Sequence, residues 1–212
     1  PGTPVAVTIM PPTQIAPVGT QAFLMAGVVR ADNFYRMNER VEWSIAPCSV
    51  GEFADFDPGA LTDVLVGDFT FPRKISPTQV IGSTSREVVR VPRGTPGPGD
   101  VLVARGQTWV TVTSRAEGTS TVIALCPTVY GVRRSQTATI EWYDARWLFP
   151  PSTAAAAGAG TVLTTNVARL TTGAPCAGYR VEYSITGGPA AQFEPGGVQT
   201  LEVEVDPNGR AN

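Results

Sequence analysis

One six-residue stretch occurs twice, and it constrains the fold more than anything else in the chain. Arg40-Val41-Glu42-Trp43-Ser44-Ile45 returns as Arg180-Val181-Glu182-Tyr183-Ser184-Ile185. Downstream, Phe56-Asp57-Pro58-Gly59 returns as Phe193-Glu194-Pro195-Gly196. A strand that recurs with its neighbours at domain-sized spacing marks a tandem of related modules. Within the six, Val41, Trp43 and Ile45 fall on one face and Arg40, Glu42 and Ser44 on the other, the period of a half-buried strand. Trp43 and Tyr183 are therefore equivalent core markers.

A length of 212 residues allows one or two domains. Hydrophobic residues make up 42% and charged residues only 16%, with 22 Gly and 19 Pro, a balance that favours short strands and turns over helices. Histidine is absent, which removes the commonest general base and the commonest metal ligand together. Nothing forms the basic stripe that nucleic acid would need. No apolar span approaches the roughly 20 residues of a membrane helix, so the chain is not expected to insert in a membrane. The opening Pro1-Gly2-Thr3-Pro4 shows neither a starting Met nor a signal peptide, and the chain reads as an internal fragment of a longer protein.

In order, Val5 to Met10 alternates and is stopped by Pro11-Pro12, and Gly19 to Val29 follows as a second strand. After the repeated strand come Trp109 to Thr113, Thr121 to Leu125 and Gln136 to Trp142. Those six strands come to about the seven that an immunoglobulin-like sandwich needs. Trp109 joins Trp43 as a core marker. The reading is all-β: two tandem immunoglobulin-like β-sandwich modules, residues 1–143 and 144–212. Tyr143 to Trp147 forms a short link without a flexible Gly/Ser run. The second module repeats the order of the first but stops after Leu201 to Val205 and the turn Asp206-Pro207-Asn208-Gly209, and reads as lacking its last strands.

Residues 60–106 find no counterpart in the second copy, so the first module carries an insertion of about 45 residues. Val64 to Val66 and Arg86 to Val91 look like strands within it, and Gly94 to Asp100 like an exposed loop. Phe69 and Phe71, with Arg86, Arg90 and Arg93, are its candidate binding residues for a glycan or a protein. On that reading, deleting 60–106 abolishes binding and spares the fold. The bland alternative is a decoration that covers an open sheet edge.

The second module resembles a bacterial Ig-like domain of the invasin/intimin type. The resemblance rests on Gly178 to Phe193 and on the strand and turn from Val203 to Ala211. The first module is similar through RVEWSI and through Gly106 to Trp142. Such domains stack into rods on bacterial surface proteins, where they serve as spacers or adhesin stalks. The resemblance implies a cell-surface or secreted location and a structural role.

Chemistry finds little footing. Asp55/Asp57 and Asp63/Asp68 are carboxylate pairs among turn residues, where Asp caps backbone groups. Asp206-x-Asn208-Gly209 begins like a calcium loop but lacks the remaining ligands, and a hairpin turn explains it better. Lys74, the only lysine, lies in the insertion and cannot supply an isopeptide from a core strand. No catalytic residue, metal or cofactor is expected. Three cysteines leave at least one without an intrachain partner. Cys48 follows the third strand and Cys126 ends the sixth, so in an antiparallel pair they sit at opposite ends, beyond the ~7 Å reach of a disulfide. Cys48 and Cys176 are a candidate inter-module disulfide, the alternative being three separate buried or half-buried thiols. The expected function is a non-enzymatic spacer, with a glycan- or protein-binding insertion as the alternative. Its partners would be neighbouring modules, and other chains through the open edge of the second module.

Overall fold

The fold is seen in a computed structural model that describes residues 3–55, 72–91, 100–188 and 191–212. Apart from a 3-10 turn at Val132–Arg134, the regular elements of the described residues are all strands. The chain divides between Tyr143 and Asp144 into two compact units.

The first unit contains β1 (Pro4–Met10), β2 (Thr13–Pro17), β3 (Gln21–Arg30), β4 (Arg40–Ile45), β5 (Glu52–Phe53) and β6 (Arg73–Ser76). It continues with β7 (Gln79–Ser83), β8 (Val89–Val91), β9 (Val101–Val103), β10 (Gln107–Thr113), β11 (Gly118–Leu125) and β12 (Ser135–Tyr143). One sheet runs β1-β3-β10-β5 and the other β2-β12-β11-β4-β7-β6. Leu24, Val28 and Val110 of the first share one core with Trp43, Val122 and Ile140 of the second. This is an immunoglobulin-like β-sandwich. Its first strand is split between the sheets. β1 pairs antiparallel with β3, the chain turns at Pro11-Pro12, and β2 then runs parallel to β12. Short β2 lay hidden in the sequence because its bounding prolines read as stops. At a sheet edge a proline gives up no ladder hydrogen bond.

The expected face of β4 is buried: Val41 is 0%, Trp43 1% and Ile45 7% exposed. Arg40 and Glu42 pair at 2.9 Å on the exposed face, where such a bridge adds at most about 1 kcal/mol. Burial of the Trp43 face dominates, since truncating a core Trp or Phe costs about 3–5 kcal/mol.

The insertion covers the otherwise open edge of β4, and it does so with core residues. β7, in the middle of 60–106, pairs with β4 along its length, with Trp43 opposite Val80, and Val80 is 0% exposed. β8 and β9 form a hairpin whose Val91 and Val103 pack on Phe23 and Trp109, outside the first sheet. Phe23 and Trp109 stack with centroids 5.5 Å apart. The first sheet is thus covered on both faces, which is why β3 and β10 are buried almost throughout. Trp109 is a core residue of this outer cluster, not of the main core. Val64 to Val66 lies outside the described residues.

The second unit contains β13 (Arg146–Leu148), β14 (Thr165–Ala168), β15 (Arg180–Ser184), β16 (Thr200–Glu204) and β17 (Arg210–Ala211). They form the sheets β13-β14-β17 and β15-β16. Its internal pairing copies the first unit. Arg180 to Ser184 pairs with Glu204 to Thr200 just as Arg40 to Ser44 pairs with Ser83 to Gln79. In the loop before the repeated strand, backbone hydrogen bonds recur. Arg36 N–H donates to the Val28 carbonyl as Cys176 N–H does to Val167, and Asn38 N–H donates to Thr84 as Gly178 N–H does to Val205. The left-handed positions coincide as well: Asn33 and Asn38 in one unit, Gly173 and Gly178 in the other.

β16 is therefore the counterpart of β7, and 60–106 is not one insertion without a counterpart. It is a shared strand flanked by two elaborations, one containing β6 and the other the β8–β9 hairpin. The sequence offset hid this because it falls from 140 at β4 to 121 at β7 (180 less 40; 200 less 79). Tyr183, expected as a core marker, is only half-buried. Its hydroxyl donates to Thr165 Oγ1 at 2.8 Å and to the Ala211 carbonyl at 3.1 Å.

Removing residues 60–106 should eliminate cooperative unfolding of the first unit, because it takes out β7 and the cover over Phe23 and Trp109. Near-ultraviolet circular dichroism on heating tests this. A trimmed chain that kept a sharp transition would show that β7 is dispensable.

Candidate functional site

Of the five residues expected to bind, two, Arg86 and Arg90, lie among the described residues, and each has a partner. Arg86 Nε donates to Asn38 Oδ1 at 2.7 Å, tying the start of the outer hairpin to the loop before β4. Arg90 Nε pairs with Asp100 Oδ2 at 2.6 Å across the β8–β9 hairpin. Phe69, Phe71 and Arg93 lie outside the described residues. Lys74 sits on edge strand β6 and pairs with Asp55 at 2.9 Å. Asp57, Asp63 and Asp68 lie outside the described residues too.

The cysteines are thiols. Cys48 is exposed, at a left-handed backbone position (φ 66°). Cys126 is 0% and Cys176 2% exposed. Cys48 and Cys176 lie in different units. Cys176 is enclosed in its own unit, its thiol 3.9 Å from the Asp144 carbonyl oxygen. The separation of Cys48 from Cys126 is seen in the strand register. Leu125 lies opposite Glu42, and Cys48 follows Ile45, where the other end of β11 begins.

Cys126 belongs to a polar knot that sequence reasoning missed. Glu39, 6% exposed, accepts from Arg36 Nε at 2.5 Å and from the Thr128 hydroxyl. The Cys126 thiol lies 3.1 Å from that hydroxyl. Glu39 N–H donates to Thr84 Oγ1 at 2.9 Å, and that hydroxyl donates on to the Arg36 carbonyl at 2.6 Å. One carboxylate thus joins the loop before β4 to the loop after β11. No periodicity announces it, because Glu39 and Thr128 lie 89 residues apart in the chain.

In the second unit the Asp206 carboxylate accepts from the N–H groups of Asn208 and Arg210, both at 2.8 Å. The Arg210 N–H, opposed by partial desolvation and helped by the Asn208 N–H, holds this carboxyl below its ordinary value of 3.8. The carboxylate closes a turn, as a capping Asp does. Among the described residues no group of three His, Cys, Asp or Glu side chains gathers to hold a metal.

An open groove of about 590 Å³ lies beside β1. Ala6, Thr8 and Met10 line one side, Val132, Arg133 and Gln136 the other, and Tyr35 lies along it. The Tyr35 ring rests on the backbone of β3, where a Cβ at Gly27 would come within 2.4 Å of it.

No family model matches the chain, and no curated protein matches it. Among solved structures it is similar to domains 4 and 5 of the S-layer protein SbsC, at 11% identity and a TM-score of 0.34, over 66% of this chain and 46% of that one. It is also similar to a glycosyl hydrolase family 2 member from Bacteroides cellulosilyticus, at 11% identity and a TM-score of 0.35, over 67% of this chain and 14% of that one. A chaperone–tip adhesin complex of CFA/I fimbriae biogenesis matches at 9% identity and a TM-score of 0.29, over 98% of this chain and 84% of that one. The chain spans less than half the length of the first two. All three TM-scores fall below 0.5, and these likenesses say nothing of its function.

Two predictions follow from the polar groups. Glu39→Ala should destabilise the first unit by about 2 kcal/mol, between the values for exposed and buried pairs because Arg36 is one-third exposed. Urea denaturation measures it, and a loss under about 0.5 kcal/mol, an ordinary surface effect, would contradict it. The Asp206 turn should loosen in acid. A depressed folded-state value means that its stabilisation is complete above the unfolded-state value and is lost as pH falls through the folded one. The amide resonances of Asn208 and Arg210 should therefore titrate together with a midpoint below 3.8.

Proposed function

We propose that the chain is a non-enzymatic structural unit of a larger cell-surface or secreted protein, two immunoglobulin-like modules in tandem that space or present other parts. The observation that carries this reading is the repetition of backbone detail. Pairing register, loop hydrogen bonds and left-handed positions recur between the units while side chains differ, as at Trp43 and Tyr183. Repetition of scaffold without repetition of a polar constellation is what a spacer requires, since each repeat need only build the same frame. The resemblance to invasin/intimin-type Ig-like domains points the same way and suggests a bacterial surface.

The alternative, a glycan- or protein-binding insertion, loses ground among the described residues. β7 is core, the β8–β9 hairpin covers a sheet face, and Arg86 and Arg90 are engaged.

The test is replacement. An unrelated pair of β-sandwich modules of the same length, put in place of residues 1–212 in the parent protein, should preserve the parent's surface display and activity. Loss of a binding activity on replacement, with display intact, would sink the spacer reading and favour a binding module.

A further inference from the structure

The seven-residue strand β1 pairs with β3 on one side only, and among the described residues no strand lies on its other edge. Half of its backbone N–H and C=O groups thus face the groove, and an unpaired edge is a template for another strand. The other edges are blunted. β5 has two residues. β2 has five and ends in Pro17. β6 has four, begins with Arg73 and Lys74, and shifts register between Lys74 and Ser76. β1 has a proline, Pro4, and a register shift between Pro4 and Ala6 at its start, but from Ala6 to Met10 its pairing is unbroken, and PVAVTIM carries none of the charge by which an edge is usually protected. The groove beside it is large enough to hold side chains, and its far wall presents Val132 at 94% exposure. The one charged residue lining it is Arg133, exposed and without an ion pair among the described residues.

We propose that β1 is a docking edge: an extended segment of a partner protein adds to the four-stranded sheet there, alternating apolar and small polar residues and carrying a carboxylate for Arg133. Backbone pairing supplies the attachment, and alternate side chains filling the groove supply the choice of partner. The charge argues against a second copy as the occupant, since a twofold pairing of β1 with itself would set two Arg133 side chains along one seam. This inference goes beyond the spacer reading and stands without it, since an edge takes a strand whatever the parent does.

The test uses the whole 212-residue chain, labelled for NMR. The probe is a blocked eight-residue peptide of alternating valine and threonine with one glutamate. Saturable shifts confined to β1 and Val132 to Gln136 are expected at peptide concentrations below about 1 mM. Peptides N-methylated at alternate amides, made in both phases, should differ, the phase that blocks the pairing edge failing to bind. Arg133→Glu should weaken binding of the acidic peptide about tenfold and strengthen that of a lysine version. The proposal is overturned by any of three results: no saturable shift up to about 1 mM, equal binding of both methylated phases, or no effect of Arg133→Glu. Concentration-dependent shifts along β1 without peptide would identify a second copy as the occupant and overturn it as well.

Discussion

Everything in the first unit is hung on the antiparallel pairing of β4 with β7. It sets Trp43 opposite Val80 at the centre of the core and holds β4 between β7 and β11. A one-residue slip would turn Val41, Trp43 and Ile45 to the other face of the sheet and bring Arg40, Glu42 and Ser44 inward. With Val41, Trp43 and Val80 each 1% exposed or less, such a slip would bury two charges where the core now has none. The same register governs β15 and β16. That identity is what makes the two units copies and not merely two sandwiches.

A second dependence follows from the first sheet having two covered faces. Leu24, Ala26 and Val28 on β3 point into the sandwich, while Phe23 and Met25 point out toward Val91, Val103 and Trp109. The strands nearest this cover lose the clean alternation that marks a half-exposed strand, because there is no solvent face left for polar residues to occupy. Its consequence is mechanical as well as energetic. Elements that look like additions in the sequence carry apolar area on both sides of the sandwich.

How legible this was in the chain depended on the kind of signal. RVEWSI could be read because its alternation, its repetition and its burial all agree. The all-β class and the immunoglobulin-like sandwich followed from strand count and turn composition. β7 could not be read, since QVIGS is five residues long, contains a glycine and shares no side-chain pattern with TLEVE of β16. Only the register of the backbone reveals them as counterparts. β2 was masked by its prolines, and the Glu39 knot by the distance in sequence between Arg36 and Thr128. The cysteines show the reverse case. Strand polarity alone separated Cys48 from Cys126, but no sequence pattern could place Cys176 inside its own unit.

The polar groups inside these units share a feature that bears on what the chain is for. Glu39 joins two loops through Arg36 and Thr128. Ser120 accepts the Trp142 indole N–H at 2.8 Å and donates to the Val50 carbonyl. Asp144 accepts from the N–H and hydroxyl of Thr171, and Asp206 closes its turn on two backbone N–H groups. A reacting site needs polar atoms converging on a space where a substrate can sit. Among the described residues, Ser120, Asp144 and Asp206 bind loop backbone and Glu39 binds the side chains of two loops, because a β-sandwich with many loops must satisfy the polar groups that its ladders leave over. What the frame leaves open is backbone at a sheet edge, and backbone recognises another strand.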